Sequence, residues 1–321
     1  MLKNSSSGIV AYRRFVDIDE LAAFLPEAIT LTQLEHQPFS CGSMALLCET
    51  IQFNFNHVNC RLHAKGDKHS GFLTFTFLMH GQGQPVISCN LPITEDYVWG
   101  FDPDREADMV FPGNSTHCAV HIRQEVFEAC TQVMDRLDLN QKFLEPNFAY
   151  LPETAPYLRD YLNQLHQLLQ QRSPLLQKPT FQQLILQDFL PLLITALPIQ
   201  AERVKPPTRA LRRSRLVKQA ADYLQSQMHQ ALTLTDLCEA LGSSSRALCY
   251  GFHEVFGTSP MAYLKILRLQ SAYRALKMAE PGDTTVTEVA AQCGFYHFGY
   301  FARDYKQVFG ELPSETLKRI K

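Results

Sequence analysis

From about Gly42 to His121, apolar and polar residues alternate in short runs such as IQFNFNHV, FLTFTFLMHG and HCAVHI. Turn-forming clusters separate them, at Lys65-Gly66-Asp67, Gly81-Gln82-Gly83 and Pro112-Gly113-Asn114. A period of two places successive side chains on opposite faces of a strand, so this part is predicted to form short antiparallel strands. From Arg123 to Leu197 the period becomes helical, with Leu158, Leu162, Leu165, Leu168 and Leu169 on one stripe. That stripe has two readings: a helix packed on its own domain, or the seam of a homodimer. The most apolar stretch, Leu184 to Leu197, is interrupted by Gln187, Asp188 and Pro191 and is too short to cross ~30 Å of hydrocarbon. It is predicted as a buried helix, with no membrane partner.

A polar stretch at residues 202–209 contains Pro206-Pro207, which no helix interior tolerates, and a new helical pattern begins beyond it. The expected organisation is therefore an N-terminal domain over 1–201, strands then helices, a linker over 202–209 and an all-helical domain over 210–321. At 321 residues there is chain enough for two cores.

Charge sharpens this division. Residues 209–321 hold fifteen Lys and Arg against ten Asp and Glu, a net +5, so the remainder of a chain totalling −2 carries −7. A basic domain joined to an acidic one fits a protein that meets a polyanion with one half only. The nine cysteines are irregularly spaced with no CxxC pair, so neither a disulfide framework nor a zinc knuckle is expected. The start, MLKNSSSGIVAYRRF, lacks the apolar run of a secretory signal, and a cytoplasmic location follows as the expectation.

The C-terminal part contains an internal repeat. TLTDLCEALGSSSRALCYGFHEVFGTSPMAYL, from Thr233, lies over TVTEVAAQCGFYHFGYFARDYKQVFGELPSETL, from Thr285. Thr233 to Gly242 and Thr285 to Gly294 are each nine apart, and Gly257, Pro260 and Leu264 keep the spacing of Gly310, Pro313 and Leu317. One supersecondary unit is used twice. Each copy opens on a capping box, Thr233-x-x-Asp236 or Thr285-x-x-Glu288. A short helix then ends at Gly242 or Gly294, and a second begins near Ser244 or His297. The result is two helix-turn-helix units, at about 233–254 and 285–308.

In the second helices, Leu248 and Phe252, and likewise Phe301 and Tyr305, fall four apart and are predicted to face the core. The opposite face offers Ser245, Arg246, Cys249 and Tyr250 in one copy, and His297, Phe298, Tyr300 and Arg303 in the other. A single such face would read as solvated surface. Two in register, carrying groups that bond guanine edges, phosphates or thymine methyls, read as a nucleic-acid surface.

Over its last ~110 residues the chain resembles the AraC/XylS family of transcription regulators. The resemblance rests on Gly257, Ser259-Pro260, Tyr263, Arg268-Leu269 and Ala272, and on Ala290, Gly294-Phe295, Phe301, Phe309-Gly310 and Pro313. It implies a seven-helix module whose long helix, about Pro260 to Met278, holds two reading helices in successive major grooves, ~34 Å apart. The family's base-contacting surface falls on Arg246, Cys249, Tyr250, Phe298, Gly299, Tyr300 and Arg303. Cys249, Phe298 and Gly299 depart from the polar residues often found there, which implies a more apolar readout. Ser244 and His297 are expected to cap their helices or touch phosphate. The implied partners are double-stranded promoter DNA and RNA polymerase, with a small-molecule effector of unknown identity and a homodimer on the N-terminal side.

The fold class expected is α+β in two domains: a cupin-like β-barrel with helices, then an all-α double helix-turn-helix. A metal cupin would need a His-x-His followed by Glu and a later His, which is absent. His117 and His121, four apart on one strand face with Cys118 opposite, read as structural histidines. No cofactor is implied. The lack of a nucleophile elbow, P-loop, GxGxxG or HExxH argues against an enzyme. Two alternatives remain: a methyl-transfer DNA-repair regulator, which Cys41, Cys48, Cys60 and Cys89 are too far apart in sequence to support, and a partner-binding protein whose helix-turn-helix no longer meets DNA. The leading expectation is a sequence-specific activator with an N-terminal sensing or dimerisation domain.

Overall fold

The computed structural model describes residues 9–25, 29–88, 91–151, 153–199, 208–280 and 282–318. The predicted linker residues 202–207 lie outside these, whereas 208 and 209 already belong to a helix. By packing, the chain divides into two compact units, residues 1–31, 40–59 and 64–205, and residues 32–39, 60–63 and 206–321.

The first unit is built on β-structure, although the last two residues of its strand β2 and the first two of β5 are counted with the second. Its strands are β1 (Ile9–Phe15), β2 (Ile29–Gln33), β3 (Cys41–Cys48), β4 (Ile51–Val58), β5 (Leu62–Gly66), β6 (Phe72–His80), β7 (Val86–Ser88), β8 (Leu91–Ile93), β9 (Tyr97–Trp99), β10 (Ala107–Phe111), β11 (Ser115–Arg123) and β12 (Phe148–Tyr150). Seven form one sheet in the order β1-β3-β4-β11-β6-β9-β12, and five form another, β2-β5-β10-β7-β8. The strands therefore divide between two sheets rather than closing into the predicted barrel. Strands β7, β8, β9 and β12 have three residues each, too few to carry an unbroken ladder round a barrel wall.

Register explains how the larger sheet is covered. Met44, Phe55, Cys118, Phe77 and Val98 align across five strands, as do Leu46, Phe53, Val120 and Phe75 in the next row of that face. This apolar face packs under helices. These are α1 (Ile18–Phe24), α2 (Gln124–Val133), α3 (Gln141–Leu144), α4 (Ala155–Gln170) and α5 (Pro179–Ala196), of which α2 to α5 contribute to that core. Leu158, Leu162, Leu165 and Leu169 of α4 are buried in it, and Leu168 packs partly against it. The leucine stripe thus covers its own sheet, at about 1.5–3 kcal/mol for each fully buried Leu. Helix α5 contains the predicted apolar stretch and tolerates Pro191 in its interior; it buries Leu190, Leu193 and Ile194 but leaves Leu184 exposed.

The other face of the same sheet is also buried, yet polar. Ser43, Asn56 and His117 share one row, Asn54 and Thr76 a second, and His121 lies beside Thr74 in a third. The five-stranded sheet lies over it: the Phe111 ring stacks on His117 with centroids 4.1 Å apart, and Trp99 Nε1 donates to Met109 Sδ at 3.1 Å.

The second unit is helical, with α6 (Thr208–Ser226), α7 (Leu234–Leu241), α8 (Ser245–Phe256), α9 (Pro260–Met278), α10 (Val286–Gln292), α11 (Phe298–Phe309) and α12 (Pro313–Leu317). The seven helices among its described residues, with the long α9, match the implied module. Ser259 caps α9, its hydroxyl accepting from the Ala262 N–H, and Pro260 supplies the first turn. One side of α9 buries Tyr263, Leu264 and Leu267 beside Phe252 and Phe256 of α8; farther along, Leu269, Ala272, Tyr273 and Leu276 join Phe301, Tyr305 and Val308 of α11.

Candidate nucleic-acid interface

Both repeats form as capped helix-turn-helix units. Thr233 N–H donates to the Asp236 carboxylate at 2.8 Å while Asp236 N–H donates to the Thr233 hydroxyl at 3.2 Å. Thr285 and Glu288 repeat those bonds at 2.8 and 3.2 Å. The backbone N–H of Thr233 and that of Thr285, each helped by its hydroxyl, hold the two carboxyls below the usual carboxylate range.

The turns differ by one residue. Gly242 ends α7 at φ 56°, and Ser244 already caps α8. In the second copy Gly294 follows the α10 cap at φ 80°, and Phe295 to His297 lead into α11. The extra residue therefore sits in the turn, and α8 and α11 are both twelve residues closed by a left-handed glycine, Gly257 or Gly310.

Gly294 is constrained twice. Its φ suits glycine, and an added Cβ would lie 3.1 Å from the guanidinium of Arg268, whose Nε donates to the Met228 carbonyl at 2.7 Å. Arg268 thereby ties α9 to the chain between α6 and α7, a structural rather than DNA-directed use of a family residue. Gly294→Ala is expected to destabilise the second unit by about 1–2 kcal/mol, read as a lower melting temperature of its helices by circular dichroism; an unchanged melt would contradict it.

The core positions of the two second helices are buried, and most of the candidate residues lie on the exposed side. Leu248, Phe252, Phe301 and Tyr305 are buried. Ser244 caps α8, accepting from the Ala247 N–H at 3.3 Å, and is exposed with Ser245, Arg246 and Tyr250, while Cys249 is half-buried. On α11, His297 occupies the cap position without a side-chain capping bond, and Phe298, Gly299, Tyr300 and Arg303 are exposed. Three of these meet: the Arg303 guanidinium lies over the Tyr300 ring, 5.0 Å from its centroid, and His297 meets the same ring edge-on at 6.3 Å.

Spacing alone did not single out Asp304, which fixes this arrangement. It is buried on the core stripe of α11, paired with Lys265 of α9, and accepts from Arg303 Nη2 at 3.2 Å. Burial works to raise its carboxyl, but Lys265 and then Arg303 outweigh this and hold it below the usual range. A carboxylate between Phe301 and Tyr305 on an otherwise apolar stripe is the signal that could have revealed it.

Among the described residues, no three or more His, Cys, Asp or Glu side chains are grouped as a metal ion would require. Burial pushes the Cys41 and Cys48 thiols up to about 12, far from the thiolate that methyl transfer needs; Cys89 lies outside the described residues. No described helix is long and apolar enough to cross a membrane.

The helix-turn-helix domain family matches residues 237–319. The chain is 44% identical over 105 residues to the probable thc operon regulatory protein of Rhodococcus erythropolis, covering 33% of this chain and 32% of that one. A solved probable AraC family transcriptional regulator from Rhodopseudomonas palustris CGA009 is 41% identical, with 33% of this chain and 96% of that one covered and a TM-score of 0.31. The chain belongs to the AraC/XylS family. It is also 34% identical over 104 residues to XylDLEGF operon transcriptional activator 3 of Pseudomonas putida, 32% of this chain and 31% of that one. This AraC/XylS member spans about a third of the length of the curated relatives it matches, and the likeness lies in the helical unit.

Proposed function

We propose that the chain is a transcription activator that inserts α8 and α11 into successive major grooves of promoter DNA and recruits RNA polymerase in the cytoplasm. The carrying observation is the repeated capped helix-turn-helix, with two second helices of equal length presenting exposed polar and aromatic faces. Relatives whose names denote an operon regulator and an operon activator support it. In this reading the helices from Thr208 onward form the DNA-binding domain, the stretch before Thr208 is the linker, and 1–201 is the sensing and dimerisation domain.

The sensing role is supported by the polar face between the two sheets. A core selected for stability alone would be apolar there, whereas Asn54, Asn56, His117 and His121 line it, and the buried His117 Nδ1 has no hydrogen-bond partner. Polar groups buried between the two sheets suit a cupin-like effector site, whose occupancy shifts the population competent for DNA.

The test is binding at graded salt with Arg303→Ala beside the unaltered protein. Log affinity should fall linearly with log salt as neutralised phosphates release counterions, and the variant should lose about 1–3 kcal/mol at the preferred site. Affinity indifferent to salt would favour a partner-binding role instead.

A further inference from the structure

Resting on the DNA-reading role above, we infer that α11 selects its site through thymine methyl groups, with Tyr300 as the methyl contact and Arg303 as the contact to a guanine on the adjacent base pair. The first turn of α11 presents Phe298, Gly299 and Tyr300, with Phe298 43% and Tyr300 63% exposed. Within this first turn no amide side chain stands to bond an adenine edge; the first cation of the helix is Arg303, and the exposed Lys306 and Gln307 come a turn later. In the major groove the feature an apolar surface recognises is the thymine C5-methyl, whereas guanidinium recognises guanine O6 and N7.

Geometry links the two contacts. The guanidinium lies 5.0 Å from the Tyr300 ring centroid, so the pair reaches edges about one base step apart, ~3.4 Å along the duplex. The arrangement is held from behind, since Asp304 accepts from Arg303 and is itself anchored by Lys265. Gly299, between the aromatics, would place an added Cβ in open space, leaving the backbone room to approach the base edges. The first copy differs: the place of Arg303 on α8 is taken by Tyr250 and that of Gly299 by Arg246, so α8 leads with a cation where α11 leads with aromatic rings.

The experiment uses the full-length chain and the DNA site it enriches from a random duplex library. Each thymine of that site is replaced in turn by uracil, which removes the methyl and leaves every hydrogen-bonding group in place. We expect about a fourfold loss of affinity at the thymine beside the contacted guanine, the effect of one methyl-sized group withdrawn from an apolar contact. That penalty should persist in Tyr300→Phe and disappear in Tyr300→Ala, whose side chain lies outside the core. Uracil tolerated at every position of a tightly bound site overturns the methyl reading while leaving DNA recognition standing. An unchanged penalty in Tyr300→Ala overturns the assignment to Tyr300. Failure to enrich any site overturns the DNA-reading role itself.

Discussion

Acidification from pH 6.5 to 4 is expected to strip about 3 kcal/mol of stability from the first unit for each of His117 and His121. Burial, reinforced by the charges of His57 and His69 respectively, depresses both imidazoles to about 4. In the unfolded chain they take up protons near 6.5. The sign follows: above pH 6.5 neither state is protonated and the full stability is present. Between 6.5 and 4 the unfolded state binds protons that the folded state refuses, so stability falls, and below 4 these two groups add nothing more. His166, depressed by burial in the same unit, acts in the same direction. The readout is favourable because the chain has one tryptophan, Trp99, fully buried beside Thr76 on the polar face. Urea unfolding followed by its fluorescence at stepped pH should show midpoints falling steeply across that window, less so in His117→Phe. Midpoints constant from pH 6.5 to 4 would contradict the burial of neutral imidazoles.

Phe301→Ala is expected to cost about 3–5 kcal/mol, the usual range for emptying a buried aromatic site, and to silence one half of the DNA contact. The ring is 1% exposed and lies 4.9 Å from Phe295 and 5.6 Å from Tyr305, at the junction of α9, α10 and α11. Losing it frees α11 from the helix that orients it. Leu248→Ala empties the equivalent place on α8. Footprinting should then show Phe301→Ala losing one protected segment and Leu248→Ala the other; loss of both segments in either variant would contradict two separately packed units.

Much of the helical unit was legible because its determinants are local. A capping box needs four residues and a left-handed glycine one, so Thr233, Asp236, Thr285, Glu288, Gly242 and Gly294 marked the helix ends, and the repeat removed the ambiguity of either copy alone. Asp304 was hidden because its meaning depends on Lys265, thirty-nine positions earlier. The sheets were legible only as strands. Alternation along β4 and β11 predicted pairing, but the order β1-β3-β4-β11-β6-β9-β12 depends on contacts distant in sequence. Strand β1 carries Arg13-Arg14 near its end, which masks its period, and β12 is three residues among helices. The polar buried face reads from sequence as solvent-facing, since alternation says which residues share a face and not what covers it. The leucine stripe of α4 was open to two readings for the same reason, and the apolar sheet beneath it decides for its own core.

The central claim is that α8 and α11 read DNA together. The most direct test is to incubate the full-length protein with sheared genomic DNA of its source, sequence what it retains, and footprint the enriched site. The account predicts one motif with two protected segments a helical turn apart, about 10 base pairs, one lost in Phe301→Ala and the other in Leu248→Ala. Retention without a shared motif, or a motif with a single protected segment, would contradict it.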